Sequence, residues 1–366
     1  MQAIIWGLFI CLTIIQAGYW LLFALVRTKS PSPKKSELPG ISVIICAHDQ
    51  EQNIRELVPL LLSQDHPNFE IIVVEDRCND GTFDYLLAET AKQSKLKMVQ
   101  VRSKPDYLPG KKYALTLGIK AAVHDLVLLT EPDCKPGSNS WVTSIAQSFD
   151  TQTEIVIGVA PFLSSKTFLN IFLRFENILS SINYCNWAKL GLPFMGMGRN
   201  LAYRKQLFLE NKGFNKHLAS LTGDDKLFVN QHASSFNTNV AEDPRSIMYS
   251  HALNDLNDFI TQKKAAIASA RQFRFKHQLI LIPFYLSYAL WLPAITLTLF
   301  FIFSWWVISV VCLRWLLMIL TISRFKKTYQ ISYPLAWIPV QDVLYSTMCL
   351  ALLPAGLFTS KLVWKI

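Results

Sequence analysis

The sequence predicts a membrane-attached α/β protein whose middle portion is a water-soluble domain built on a mostly parallel sheet. Uncharged apolar stretches of spanning length stand towards both ends, and between them short β-branched runs alternate with mixed, helix-length segments. A third observation gives the domain a working end. Acidic and basic residues gather just after the apolar runs, where parallel sheets bind their ligands.

Residues 4–26 carry no charge and are long enough, at about 1.5 Å per residue, to cross roughly 30 Å of hydrocarbon. No basic residue precedes them and no small-x-small site closes them, so 1–27 reads as an uncleaved anchor rather than a cleaved leader. Arg27, Lys29, Lys34 and Lys35 follow, the last three in a basic, proline-containing linker over 28–39. By the positive-inside rule they place the soluble region in the cytoplasm.

Within the domain read over 40–257, residues 41–46, 69–74, 96–101 and 126–130 are strand-like. The segments 53–63, 83–92 and 111–122 between them are helix-like. Runs this apolar, separated by helices, argue for strands covered on both faces. Residues 258–278 read as an interfacial amphipathic helix, and 279–366 as two to three transmembrane helices. The block 279–323, broken only by Arg314, suits a helical hairpin with Ser304, Trp305 and Trp306 at its turn. The block 333–358 contains Pro334, Pro339, Gln341, Asp342 and Pro354, which leaves a third span or a re-entrant helix open, with the span preferred.

Composition removes several classes. The 366 residues are 51% hydrophobic, and a mean hydropathy of +0.25 is high for a purely soluble protein. Seven scattered cysteines without CxxC spacing indicate neither a zinc site nor a disulfide frame. The net charge of +10 gathers beside apolar segments without aromatic interleaving, which favours anionic headgroups of a lipid bilayer over nucleic acid. Few intramembrane charges beyond Arg314 and Asp342 argue against a transporter.

The chemistry-bearing residues follow the runs in order. Ala47 to Glu51 succeed the first run and include Asp49. Glu75 and Asp76 end the second, where carboxylates accept hydrogen bonds from a base or ribose; the turn sequence after them also fits ordinary helix capping. Lys111 and Lys112 follow Pro-Gly at a helix start, suited to phosphate or simply solvated. Glu131 and Asp133 flank Pro132 after the fourth run, two hard oxygen ligands for a divalent cation, Mn2+ or Mg2+, that also holds a diphosphate. Gly196 to Tyr203, with Gly198 and Asn200, is a small-residue loop that lets backbone approach a ligand or merely turns tightly. Asp224 and Asp225 follow Gly223 at a helix N-terminus; one can accept a proton from a hydroxyl while the other caps the helix. Arg271, Arg274 and Phe275 precede the second apolar block, where basic and aromatic residues are expected in any case.

Taken in order, these pieces resemble the membrane-bound family 2 glycosyltransferases across residues 39–277. The matching text is ISVIICAHDQE, VVEDRCNDGT, PGKKYAL, LLTEPDCKP, GRNLAYR and TGDD. The resemblance implies a GT-A fold that binds a nucleotide-diphosphate sugar, by family habit a UDP-sugar, and transfers the sugar with inversion to a lipid or other membrane-delivered acceptor. It implies nucleotide-sugar contacts from Ala47, Asp49, Glu75, Asp76, Lys111, Lys112, Arg271 and Arg274. A metal on Asp133 with Glu131 is implied too, with Asp225 as general base beside Asp224, and an acceptor side at Gly198, Asn200 and Phe275.

This chain departs from the family pattern in three places. Glu131-Pro132 stands for the usual Asp-Ala, Glu75 stands for Asp, and Arg271-Gln-Phe-Arg-Phe275 stands for Gln-x-x-Arg-Trp. The last change, with the small number of spans, favours a single transfer over polymer synthesis. A nucleotidyltransferase of similar fold and a non-catalytic sugar-nucleotide-binding membrane protein are the competing readings.

Overall fold

The structure is a computed structural model that describes residues 2–27, 38–105, 109–217, 223–302 and 304–358. Nearly all of the linker read at 28–39 lies outside the described residues, as does the end of the C-terminal block. The chain opens with α1 (Gln2–Leu25). The alternating stretch then forms β1 (Ile41–Ala47), α2 (Glu51–Leu62), β2 (Phe69–Asp76), α3 (Thr82–Thr90), β3 (Leu96–Val101), α4 (Gly110–Ala121) and β4 (Leu126–Thr130). Shorter elements follow: β5 (Cys134–Pro136), α5 (Trp141–Gln147), β6 (Ile155–Ile157), α6 (Phe168–Lys189), β7 (Leu201–Arg204), α7 (Lys205–Glu210), α8 (Asp224–His232), β8 (Thr238–Val240) and β9 (Met248–Ser250). The chain closes with α9 (Leu256–Ala270), α10 (Phe275–Phe301), α11 (Trp305–Tyr329) and α12 (Ile338–Phe358).

Two compact units emerge. The first comprises Met1–Thr28, Ser164–Asn186 and Ala252–Ile366; the second comprises Lys29–Leu163 and Trp187–His251. Most of α6 therefore belongs with the terminal helices, although the sequence reading places it inside the 40–257 domain.

In the second unit, the described strands of the main sheet run in the order β3-β2-β1-β4-β7-β6-β8. The first four are parallel, and β7 pairs antiparallel with both β4 and β6. β2 is buried along its whole length, and β1 everywhere but Cys46, as expected of strands covered on both faces. On one face Val43, Ile45, Val73 and Leu128 pack with Leu57, Leu61 and Trp141. Fully burying each such aliphatic side chain contributes about 1.5–3 kcal/mol. On the other face α4 comes so close that a Cβ on Gly118 would lie 2.8 Å from the methyls of Ile44 and Val74. That close approach fixes the start of α4 over the ends of the strands.

In the first unit, four helices among the described residues are long and apolar enough to cross a membrane: Gln2–Leu25, Phe275–Phe301, Trp305–Tyr329 and Leu335–Pro354. The hairpin between α10 and α11 turns at Ser304, whose hydroxyl accepts from the Trp306 amide at 3.3 Å and caps α11. α12 is a single helix that takes Pro354 into its interior, and this favours the spanning reading of the last block over the re-entrant one. The expected amphipathic helix over 258–278 is instead two helices. α9 stops at Ala270, Arg274 adopts an extended conformation at φ −54° and ψ 142°, and α10 begins at Phe275. Gln278 Nε2 satisfies the Arg271 and Phe273 carbonyls at this break, each at 2.9 Å.

Arg314 and Asp342, the charged residues in the middle of the apolar helices, are fully buried together. Arg314 donates to both oxygens of Asp342, at 2.6 and 2.9 Å, and its Nε donates to Gln16. The guanidinium lies over the rings of Trp291 and Tyr288, and Trp315 Nε1 donates to Asp342 at 3.0 Å. Four helices thereby share one ion pair, the arrangement that charged groups in an apolar bundle require.

Candidate active site

The strand order reverses between β1 and β4, and the crevice at their carboxyl ends is where open parallel sheets hold ligands. The carboxylates predicted after β1, at the end of β2 and after β4 lie on the segments that leave this edge, and α8 brings Asp224 and Asp225. Ala47 pairs with Glu75, which places the ends of β1 and β2 side by side. Glu75 Oε1 accepts from the Cys78 amide at 2.5 Å, so this carboxylate also shapes the turn after β2. Asp76 is buried and accepts from Arg77 Nε at 2.8 Å, while its carbonyl lies 2.5 Å from His48 Nδ1. A Cβ on Gly110 would stand 3.1 Å from Asp76 Oδ2, so the first residue of α4 needs to be small.

α4 presents its two lysines to acids from two other elements. Lys111 Nζ is 2.5 Å from Glu131 Oε1 after β4, and Lys112 Nζ is 3.2 Å from Asp224 Oδ1 at the start of α8. Glu131 holds the Lys111 ammonium well above the usual lysine range. Burial pushes the Glu131 carboxyl up, but Lys111 and Arg199 outweigh it and the net shift is downward. Burial raises Asp133, and the charge of Glu131 raises it further. Asp224 is likewise raised by burial, only partly opposed by Lys112 and Lys111.

Asp225 lies one residue on from Asp224 in the first turn of α8. Its Oδ2 accepts from the Gly198 amide. A Cβ on Gly198 would fall 2.7 Å from that oxygen, so the glycine is what admits the carboxylate to this position. Asn200 does something different from the acceptor contact expected of it. It is fully buried, donates to the carbonyls of Val159 and Ser246 at 2.9 and 2.8 Å, and accepts from Trp141 Nε1 at 3.1 Å. With its donors and acceptor spent inside the protein, it is a strut that holds the 198–200 turn.

Asp49, with φ 50°, accepts from the Asn79 amide at 2.6 Å and ties the loop after β1 to the loop after β2. Arg271, Arg274 and Phe275 belong to the first unit, at the break between α9 and α10.

Three residues of the second unit were not singled out by sequence reasoning: His48, Arg77 and Arg199. The Arg199 guanidinium lies 4.8 Å above the Phe162 ring, donates to Ser250 Oγ, and pulls the Glu131 carboxyl down. Its signal was its place inside Gly-Arg-Asn, next to the two residues that were chosen.

The donor set after β4 fits a hard divalent cation. Glu131 and Asp133 supply carboxylate oxygens, and Asp133 makes no ion pair among the described residues. Its Oδ1 has a long contact, 3.7 Å, from the Cys134 thiol. Asp49, Cys78 and Asp80 also offer ligand atoms within 4.8 Å of one another. The carboxylates of that cluster already accept from the amides of Asn79, Glu51 and Thr82, and burial pushes the Cys78 thiol up to about 11.

Residues 42–211 match the family described as Glycosyl transferase family 2. A probable glycosyltransferase of Bacillus subtilis (strain 168), YdaM, is 27% identical over 188 residues, 49% of this chain and 44% of that protein. An uncharacterized glycosyltransferase of Haemophilus influenzae (strain ATCC 51907 / DSM 11121 / KW20 / Rd) is 41% identical over 58 residues, 16% of this chain and 17% of that protein. The chain thus spans less than half the length of these curated relatives. Among solved structures, the fold resembles the mannosyltransferase PcManGT from Pyrobaculum calidifontis in complex with GDP-Man and Mn2+, with a TM-score of 0.62 and 16% identity. The likeness covers 98% of this chain and 100% of that one. It speaks for the fold, which is GT-A. Over residues 42–211 the chain is thus similar to glycosyl transferase family 2, on a GT-A fold.

Proposed function

We propose that the protein is an inverting glycosyltransferase that moves a sugar from a nucleotide-diphosphate sugar to a lipid or other membrane-delivered acceptor. The observation that carries this reading is the convergence of acids and lysines from β4, α4 and α8: Glu131 on Lys111, Asp224 on Lys112, and Asp225 held by the Gly198 amide. In this reading Asp225 takes the proton of an acceptor hydroxyl as its oxygen attacks the anomeric carbon opposite the diphosphate. The bond from that carbon to the diphosphate oxygen breaks, and the electron pair leaves with the nucleoside diphosphate. Inversion follows from the single in-line displacement.

Glu75 and Asp76 face the nucleoside, with Ala47 and Asp49 framing the same edge. Lys111, with Lys112 buried behind it, sets positive charge at the N-terminus of α4, where a diphosphate is favoured. A divalent cation, Mn2+ or Mg2+, held by Asp133 and Glu131 would supply further neutralisation of the departing diphosphate. UDP is the donor nucleotide by family habit. The family match over residues 42–211 supports the transfer, and the GT-A likeness to a protein solved with GDP-Man and Mn2+ supports the nucleotide-sugar donor and the cation.

Four apolar helices support attachment to a bilayer. Their charges support a cytoplasmic catalytic domain. Tyr19 donates to the Ile280 carbonyl at 2.7 Å and Arg324 to the Val26 carbonyl at 3.4 Å, so one end of the bundle gathers the ends of α1 and α11 with the start of α10. Arg27, Arg274, Lys276, Arg324, Lys326 and Lys327 lie there, whereas residues 2–18 and 297–313 carry no charge. Arg271 and Phe275 at the same end suit an acceptor anchored in lipid.

The test is a panel of nucleotide sugars incubated with the protein in native-lipid membranes, with and without Mn2+ or Mg2+. Release of nucleoside diphosphate and gain of a glycosylated lipid are expected. Release of pyrophosphate would instead mark a nucleotidyltransferase, and donor binding without turnover a sugar-nucleotide-binding protein.

A further inference from the structure

The two consecutive lysines at the start of α4 are held in different ways. The Lys112 side chain is 1% exposed and faces Asp224, itself 8% exposed, across 3.2 Å. Withdrawing Lys112 would leave a buried carboxylate uncompensated, so that contact is fixed. The Lys111 side chain is 53% exposed, and its contact is with Glu131, which is 32% exposed. A long, flexible side chain held by one partly solvated ion pair changes partners at little cost.

The partner that Lys111 holds is one of the two carboxylates that suit a divalent cation. The other, Asp133, has no cation within ion-pair distance among the described residues. An ammonium on Glu131 and a divalent ion on the same pair of acids repel each other at short range, and each competes for the same oxygens. A nucleoside diphosphate entering beside α4 offers Lys111 a more highly charged partner at the helix N-terminus.

We propose that Lys111 is an exchangeable counter-ion: without nucleotide it occupies Glu131 and holds back the divalent cation, and a nucleoside diphosphate draws it away so that cation and nucleotide bind together. This rests on the nucleotide-sugar reading of the site. Its consequence is reciprocal linkage, in which each ligand tightens the other by the same factor.

The experiment titrates Mn2+ into the full-length, detergent-solubilised protein and follows free Mn2+ by its paramagnetic resonance signal. Titrations are run alone and with UDP or GDP, for the wild type, Lys111→Gln and Arg77→Gln. Lys111→Gln is expected to bind Mn2+ alone more tightly, on the order of fivefold, to bind nucleoside diphosphate more weakly, and to lose most of the linkage. Arg77 pairs with Asp76 rather than with the metal-type acids. Its replacement should therefore shift nucleotide-free Mn2+ affinity by less than about twofold.

Unchanged or weakened Mn2+ binding in Lys111→Gln overturns the proposal. So does an equal rise in Arg77→Gln, which would reduce Lys111 to diffuse charge, and so does undetectable Mn2+ binding in both the wild type and Lys111→Gln. Failure of the wild type to bind any nucleoside diphosphate sinks the nucleotide-sugar reading separately, because competition between Lys111 and Mn2+ is read from the nucleotide-free titration.

Discussion

Single atoms decide how Asp225 is presented. Because a methyl on Gly198 would fall 2.7 Å from Asp225 Oδ2, Gly198→Ala must push the carboxylate aside. Turnover should fall by about tenfold or more, with the unfolding temperature within about 2 °C of wild type, as steady-state kinetics and a melt would show. Asp133 gives a second residue-scale test. Its carboxyl is raised by burial and by Glu131, so in the folded protein the charged form carries a cost at pH 7 that disappears as pH falls through the raised value. Asp133→Asn should therefore raise the melting temperature at pH 7 without divalent ions, by about 2 °C, and the gain should vanish near pH 3. The carboxylates and lysines of the candidate site were legible at this scale because they stand at strand ends and helix starts. Arg199 was not, since a lone arginine between two chosen residues carries no periodicity. Asn200 misled, because a buried amide that braces a turn has the same letter as one that meets substrate.

At the scale of elements, buried ion pairs connect secondary structure that is distant in sequence. Lys112→Met leaves Asp224 buried without its cation and should cost about 3 kcal/mol in denaturant unfolding, loosening the start of α8. The Arg314–Asp342 pair makes the same argument among the apolar helices. Arg314→Met should destabilise by about 3–5 kcal/mol, and adding Asp342→Leu should restore most of the loss, because the stranded charge is gone. A double mutant no better than the single would contradict this. β1 to β4 and the helices between them follow the sequence reading within two or three residues at their ends, because their apolar runs are five to eight residues long. The three-residue strands β5, β6, β8 and β9 are too short to show any alternation. α6 stayed hidden for another reason: it is buried nearly all round, with Asn170, Arg174, Glu176, Asn177 and Asn183 interspersed among its apolar residues, so no one-sided apolar stripe marks it.

For the whole molecule, charge asymmetry and catalysis lead to separate measurements. If the basic end of the helix bundle is cytoplasmic, a cysteine-reactive probe that cannot cross membranes should label an introduced Arg27→Cys from the cytoplasmic face alone. This requires a background without the exposed Cys11 and Cys312. In the proposed reaction a carboxylate at the start of α8 removes the acceptor's proton while the rest of the crevice binds the donor. Asp225→Asn keeps the shape of the side chain and removes its basicity. Single-turnover transfer and donor affinity, measured side by side on this variant, separate the base from the donor site. Transfer is expected to fall on the order of a hundredfold or more with donor affinity essentially unchanged. Transfer at the wild-type rate, or a parallel collapse of donor binding, would contradict it.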